Sequence, residues 1–497
     1  MTQSVAVVGA GIAGMCTALA LSRQNFEVTL IERDVPPPDG DADAAFFAWQ
    51  RRGAAQFRHP HAFLGLMCSL LEERYPDLLE EFFAHGARKV TFADMVPPHL
   101  ATDFTPEPID EQMWMLLCRR ATMETVLRRY VARQNNIKIL NTAYITNLEI
   151  DHSGSTPRMV ALELTDRGVN NTRSRFCADL FVDATGRASK FPSWLGTHNI
   201  LPDEQRDDAE IVYYTRHYQL LPGVDEPSRH DNDPAAGDLG YMKYGVFPGE
   251  NGHFALIICL PNGEGALRDA VKDGAQFDQI CCTIPGLVPW ISAEKATATT
   301  EPFGIGDIQA VWRNYVQDDR ALLHNFFSVG DSSVRTNPLY GRGCSTGILH
   351  AHILADVLAE ESDPETRALR YQALTDERLR PIFDASLNED KNGIKRAEAV
   401  MRGEERDRAD SFKKWLRLSF GDALAAAARD ELHVFRGMMK TVNLVEKPGD
   451  FLQDPKVKRT IFRYMLRGRK RNGKARVQRG LGRQEMLQFL DEIGAST

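Results

Sequence analysis

Six residues near the N-terminus, Gly9-Ala10-Gly11-Ile12-Ala13-Gly14, have the spacing of a loop that cradles a diphosphate. The apolar run Ser4–Val8 reads as a short buried parallel strand leading into it, and Met15–Gln24 reads as the helix behind it. Gly9 makes the tight turn, Gly11 lets a pyrophosphate approach the backbone, and Gly14 lets helix and strand pack closely. Unpaired N–H groups and the dipole at the helix start favour the phosphate charge. A second strand, Val28–Ile31, ends in Glu32. That acid lies about 20 residues beyond the loop, where it can accept hydrogen bonds from ribose hydroxyls. Ala13 in the loop and Arg33 after the acid are counted as contacts with them. Strand, loop, helix, strand and acid in this order specify a dinucleotide site.

A second chemistry-bearing segment lies far downstream. It runs Ser328-Val329-Gly330-Asp331-Ser332-Ser333-Val334-Arg335-Thr336-Asn337-Pro338-Leu339-Tyr340-Gly341-Arg342-Gly343. A buried strand, Phe326–Val329, stops at Gly330, and a helix is expected over Ser345–Ala355. Gly-Asp followed by Asn-Pro-x-x-Gly-x-Gly resembles the second cofactor motif of the FAD-dependent monooxygenase superfamily, of p-hydroxybenzoate hydroxylase-like fold. The likeness is nearest to the polyketide and squalene epoxidase-like branch. It implies that the dinucleotide is FAD. Asp331 would then accept from the ribityl hydroxyls, while Pro338 stiffens a loop beside the flavin ring. Gly341 and Gly343 permit close approach of backbone to ring. The helix N-terminus would face the ring edge that gains negative charge on reduction.

Three further segments carry the resemblance. Gln56-Phe57-Arg58-His59-Pro60-His61 is similar to the epoxidase-like Gln-x-Arg-His-x-His element, and implies that Gln56 and Arg58 contact the cofactor. Arg120-Ala121-Thr122-Met123-Glu124 opens a helix running to about Arg133, and its arginine is the one expected to reach FAD. The strand around Asp179–Asp183 runs into Ala184-Thr185-Gly186, placing Asp183 and Gly186 beside the cofactor. Related enzymes have an Asp-Gly pair at that turn that also serves NAD(P)H. Here Asp183-Ala184 and Thr185-Gly186 stand instead, and no second glycine-rich loop appears. NAD(P)H is therefore expected as electron donor either directly or through a partner flavin reductase.

The activity implied is hydroxylation or epoxidation of a hydrophobic small molecule with O2, through a C4a-(hydro)peroxyflavin. The cofactor carries that chemistry, so no protein catalytic residue is assigned beyond the ring-positioning loop of Pro338, Gly341 and Gly343. A flavin-dependent reductase of prenyl or alkene double bonds shares the same loops. A flavin-dependent halogenase is a further alternative, although the Trp-x-Trp-x-Ile-Pro segment of that family is absent.

The elements that must position these residues follow from pattern. With the resemblance, they imply an α/β fold class: a Rossmann-type FAD-binding domain of the glutathione reductase type, an inserted antiparallel β-sheet substrate domain, and a helical C-terminal region. The FAD-binding domain is expected in three parts, 1–85, 113–200 and 316–360, with a substrate-domain insertion at 86–112. The substrate sheet is expected over 201–315 and the helical region over 361–497. Ile211–Tyr218, Tyr241–Phe247 and Phe254–Leu260 are aromatic and β-branched runs between turn residues, which favours antiparallel strands. As a group they suit a hydrophobic substrate.

Composition narrows the classes. At 497 residues, two or three packed units are expected. The net charge of -8 argues against nucleic acid. Eight scattered cysteines with no Cys-x-x-Cys pair give no metal signature and read as reduced thiols of a cytoplasmic protein. No signal peptide is expected, because Val5–Val8 leads directly into the glycine loop. No apolar run approaches the roughly 20 residues needed to span a bilayer. Residues 456–483 carry twelve Lys or Arg and no Asp or Glu. With Ile461, Phe462, Tyr464, Met465 and Leu466 interleaved, this segment could meet an anionic membrane surface, an acidic partner protein or an acidic face of the same chain.

Overall fold

The computed structural model describes residues 2–168, 171–229, 233–404, 409–475 and 479–494. At its centre is a five-stranded parallel sheet. Its strand order is Phe326–Ser328, Leu180–Asp183, Ser4–Val8, Glu27–Ile31 and Ile137–Leu140. The first strand alternates between two cores. Val5 and Val7 join the cluster built with helices Ile12–Arg23 and Gly343–Glu360. Ala6 and Val8 join a second cluster beneath the antiparallel strands Ala143–Asp151, Arg158–Asp166 and Thr172–Cys177. Both faces of the parallel sheet are thus covered, as burial of its backbone requires.

The glycine loop folds as its residue types dictate. Gly9 has φ +102°, and a Cβ there would lie 2.5 Å from the carbonyl oxygen of Ala184. A Cβ on Gly14 would fall 1.8 Å from the carbonyl oxygen of Gly9. The helix begins at Ile12, three residues before the sequence pattern suggested. Its first turn is made by the glycine loop itself, so the opening N–H groups face outward from the strand end. Likewise the helix expected at Ser345–Ala355 spans Gly343–Glu360.

The second unit is a six-stranded sheet. Ile211–Leu220 lies at its centre between His253–Pro261 and Ala296–Ala298, with Lys243–Pro248 and Ala236–Asp238 beyond. Phe303–Ile305 also pairs with Ile211–Leu220. The paired strands are antiparallel, and helices Gly265–Ala270 and Gly274–Cys282 pack on one face. Segment 86–112 contributes strand Arg88–Val90, paired with Met115–Leu117. Its apolar residues Phe92, Met95, Val96 and Leu100 meet Phe435 and Met439 of the C-terminal region.

Helix Pro364–Met401, about 57 Å long at 1.5 Å per residue, ties the units together. Near its start, the Tyr371 hydroxyl donates to the Ser328 carbonyl at 2.7 Å. At its end, Val400 and Met401 lie against Gly240 and Gly263 of the six-stranded sheet. The C-terminal helices Phe412–Asp430, Leu432–Val442 and Pro455–Arg467 form a separate cluster around Ala423, Ala427 and Ile461. Within the basic segment, residues 476–478 lie outside the described residues. Arg463 pairs with Glu431, Arg469 with Asp422, and Arg483 with Glu264. Among the described residues, no helix is long and apolar enough to cross a membrane.

Candidate cofactor cleft and active site

A cleft opens at the C-terminal ends of the parallel strands. That is the side on which open α/β sheets bind ligands. Of the residues singled out in the sequence, Gly9, Gly11, Ala13, Glu32, Arg33, Gln56, Arg120, Gly186, Gly330, Asp331, Pro338, Gly341 and Gly343 all line it. Segments separated by hundreds of residues therefore converge on one space.

Three predicted residues sit elsewhere. Gly14 is beneath the loop, against Gly9. Asp183 is fully buried under the turn, where it accepts from Thr185 N at 2.9 Å and from the hydroxyls of Thr185 and Ser189 at 2.6 Å each. It shapes the turn that Gly186 presents to the cleft. Arg58 turns its guanidinium away, to the carbonyls of Phe46 and Phe47 at 3.1 Å each. The reason is local: helix Ala42–Ala48 ends beside it with carbonyls unpaired, and a guanidinium satisfies them.

Glu32 ends the second strand as expected, and Arg51 accompanies it. The Arg51 guanidinium donates to Glu32 and Asp34 at 3.0 Å, to Glu124 at 3.0 Å and to the Ala10 carbonyl at 3.0 Å. All four side chains are almost fully buried. Burial alone would raise the Glu32 carboxyl, but Arg51 and the Asp34 N–H hold it below its ordinary value. Arg51 had no signal in the sequence. A charged Arg-Arg-Gly stretch reads as a solvated turn, and only the fold brings it to three carboxylates.

Glu124 links this network to Arg120, which donates to it at 2.5 Å. Arg120 also donates to His61 Nε2 at 2.6 Å, while His61 Nδ1 donates to the His59 carbonyl at 2.8 Å. Both ring nitrogens are committed, which fixes one tautomer. Burial, then the Arg120 charge, pushes His61 well below its ordinary value, and the same two causes bring His59 to about 4. Both shifts favour the neutral imidazole at physiological pH.

The Asp331 carboxylate lines the cleft beside Gly343 and makes no hydrogen bond within the described residues. Burial raises its pKa, while Arg335, Arg120 and Arg187 act to lower it. All three arginines line the same cleft. The N-terminus of the 18-residue helix Gly343–Glu360 opens onto it through Gly343 and Cys344.

These features fit FAD. Open space at Gly11 leaves room for a pyrophosphate, since a Cβ there meets nothing within 4 Å. Glu32 and Asp331 both line the cleft and provide acceptors for ribose and ribityl hydroxyls. The arginines and the helix N-terminus complement negative charge. Arg51, Arg187 and Arg335 join the set that sequence spacing had identified.

A narrow pocket adjoins the cleft and shares Pro60, His61 and Arg120 with it. Phe46, Phe57 and Phe247 contribute apolar walls. Arg119 also lines it. Its Nε donates to Glu250 at 2.6 Å, while its Nη1 is buried without a partner. Arg119 adjoins Arg120 in sequence, but nothing in the pattern distinguished an inward from an outward guanidinium.

The comparisons with known proteins agree with this geometry. The FAD dependent oxidoreductase family matches residues 4–94. Protein Rv3254 of Mycobacterium tuberculosis is 26% identical over 363 residues, covering 69% of this chain and 70% of that protein. OxyS anhydrotetracycline hydroxylase from Streptomyces rimosus superposes with a TM-score of 0.54 at 16% identity, over 90% of this chain and 76% of OxyS. The flavin-dependent brominase Bmp2 gives 0.55 at 14% identity, over 81% of this chain and 92% of Bmp2. Residues 4–94 thus match the FAD dependent oxidoreductase family, and the chain as a whole shares the fold of these flavin-dependent enzymes.

Proposed function

We propose that the protein is a monooxygenase that places one oxygen atom of O2 on a hydrophobic small molecule, by hydroxylation or epoxidation. The observation that carries this reading is the cavity beside the cofactor cleft. It joins the cleft at Pro60, His61 and Arg120, is walled by aromatic side chains, and lies against the six-stranded sheet through Phe247 and Ala255. Oxygen transfer from a reduced flavin needs a site that excludes water, because water diverts the reactive species. FAD, when bound, supplies the electrons and the activation of O2.

The chain's own residues do the rest. Glu32 would hold the adenosine ribose and Asp331 the ribityl chain. Arg120, Arg187 and Arg335 offset the negative charge that reduction adds. The unpartnered Arg119 N–H offers a hydrogen bond to an acceptor atom on the substrate, fixing its orientation. NAD(P)H is the proposed electron source, through a partner reductase, because the turn at Asp183–Gly186 lacks the Asp-Gly pair of self-reducing relatives. The proposed location is the cytoplasm, with the basic segment in peripheral contact with the membrane. Support for that contact is the exposure of Phe462 and Leu466 within the segment, together with an exposed apolar stripe of Phe412, Trp415, Leu416 and Phe420, flanked by Lys413, Lys414 and Arg417, on the helix packed against it.

The test supplies FAD, an NAD(P)H-dependent flavin reductase and a panel of alkenes and arenes under ¹⁸O2. One labelled oxygen atom per product molecule is expected. Product formed equally well without O2 would establish the double-bond reductase reading instead. Halide-dependent product with no labelled oxygen would establish a halogenase.

A further inference from the structure

A third, partly open cavity is bordered by Asn337, Leu339 and Tyr340 of the loop that carries Pro338. Its walls come from the six-stranded sheet through Ile211, Met242 and Cys259, from the loop through Leu339, and from the long helix through Ile394 and Met401. Asp390 enters it from the helix and is 6% exposed. One carboxylate oxygen is fully engaged: Oδ1 accepts from Asn337 Nδ2 at 2.7 Å and from the Tyr340 hydroxyl at 2.8 Å. The other, Oδ2, is buried and has no hydrogen-bond partner. Lys243 and Arg396 line the same cavity and face Asp238 there, at 3.8 and 3.4 Å, and neither donates a hydrogen bond to Asp390.

A cavity that sets Ile211, Met242, Cys259, Leu339 and Ile394 beside Asp238, Lys243, Arg396 and Glu398, and that holds one buried acceptor unmet among the described residues, suits a ligand with an apolar body and one donor. We propose that this cavity binds an apolar molecule carrying a hydroxyl group, whose O–H donates to Asp390 Oδ2. The site communicates with the cofactor cleft through one residue. Asn337 holds Asp390 with its amide nitrogen, while its amide oxygen accepts from Leu339 N at 3.0 Å and from the Tyr213 hydroxyl. The next residue, Pro338, lines the cleft. Ligand arrival at Asp390 therefore shifts the flavin absorption spectrum. The proposal concerns binding alone and needs neither O2 nor NAD(P)H, so it stands or falls separately from the oxygen-transfer reading.

The experiment titrates the FAD-loaded protein with three probes of one shape: 2-naphthol, 2-methoxynaphthalene and naphthalene. Binding is followed by calorimetry and by the flavin spectrum. The methoxy compound keeps the oxygen but has no proton to donate. At least tenfold tighter binding of 2-naphthol than of either other probe is expected. Asp390→Asn, which turns an N–H toward the ligand where the acceptor was, should bring that ratio close to one while retaining FAD. Ala397→Trp, on the cavity-facing side of the helix and away from the Asp390 hydrogen bonds, should abolish binding of all three. Equal binding of 2-naphthol and 2-methoxynaphthalene would overturn the proposal. So would an undiminished ratio in Asp390→Asn, unchanged binding in Ala397→Trp, or no binding of 2-naphthol up to millimolar concentration.

Discussion

Gly11 and Gly14 sit three residues apart in one loop, and the structure assigns them opposite consequences when each is changed to alanine. Gly11 is the N-cap of helix Ile12–Arg23, with φ -76° and ψ 179°, a conformation alanine adopts freely. Its added Cβ meets no protein atom within 4 Å. Alanine is a poorer N-cap than glycine by about 0.5 kcal/mol. It also restricts the unfolded chain, which returns about 0.4–1 kcal/mol. The apoprotein should therefore keep its stability to within about 0.5 kcal/mol. The Cβ instead projects into the space meant for the pyrophosphate. Crowding by one carbon costs about 1–3 kcal/mol, and at 1.4 kcal/mol per decade FAD affinity should fall about 5- to 150-fold. A hundredfold loss removes about 2.7 kcal/mol of ligand-linked stability at saturating FAD. In Gly14→Ala the new Cβ would lie 1.8 Å from the Gly9 carbonyl oxygen, so helix and loop must separate. That apoprotein should lose about 3 kcal/mol. Urea unfolding of both apoproteins, with FAD titration by flavin fluorescence, measures all four quantities. Undiminished FAD affinity in Gly11→Ala would refute the placement of the pyrophosphate. An apoprotein destabilised as much by Gly11→Ala as by Gly14→Ala would refute the steric account.

The other predictions concern charges. Arg51→Met leaves Glu32, Asp34 and Glu124 buried without their shared cation, and should cost about 3–5 kcal/mol in urea unfolding; a loss under about 1 kcal/mol would show that the network is solvated. Asp331→Ala should weaken FAD binding about 10- to 100-fold, the worth of hydrogen bonds to a charged acceptor, and leave the far-ultraviolet circular dichroism unchanged; unaltered FAD affinity counts against its ribityl role. Glu32 has a folded-state pKa below the ordinary value of 4.5, so its ionisation stabilises the fold above about pH 4.5, and that contribution disappears as pH falls through the lower, folded value. Glu32→Gln should accordingly be less stable than the parent at pH 7, with the difference shrinking below pH 4; a constant difference from pH 7 to pH 3 would mean that the carboxylate charge is not what Arg51 recognises. The exposed stripe should bring the protein to phosphatidylserine vesicles in low salt, with a blue shift of tryptophan emission that Trp415→Ala removes; cosedimentation that is equal on neutral vesicles would remove the electrostatic part of that reading.

What the sequence made legible was whatever the backbone alone decides. Gly9 and Gly14 are required by a positive φ and by a carbonyl contact within their own loop, so their spacing carries the geometry with it. Asp331 and Pro338 follow the same logic, since each flanks a glycine turn at the end of a strand. Side-chain direction is a different kind of fact. Arg58 and Arg51 lie seven residues apart and are chemically identical. Which one enters the cleft depends on where helix Ala42–Ala48 leaves its unpaired carbonyls, a tertiary outcome with no local signature. Periodicity likewise announces the aromatic strands around Tyr213 and Phe254, but not which of their side chains border a cavity.

The helical region after residue 360 shows the largest gap between pattern and role. By charge and periodicity it is an appendage to the cofactor domain. Its first helix nevertheless fixes the loop on which the flavin side of the cleft depends. Asn337 and Tyr340 are held by Asp390, and Arg342 donates to Ser386 at 2.6 Å and to Glu389 at 2.9 Å. Three residues spaced over one turn of that helix thus hold both ends of the Pro338 turn through four hydrogen bonds, and those to Ser386 and Asp390 engage buried polar groups that would be expensive to leave unmet. Gly341, at φ +66° between those ends, has Ala62 within 2.9 Å of where a Cβ would lie, so the turn cannot drift toward the cleft wall either. A loop of glycine and proline gains its fixed shape from such external clamps rather than from its own sequence. The geometry presented to the cofactor is therefore set jointly by the motif and by a helix outside it.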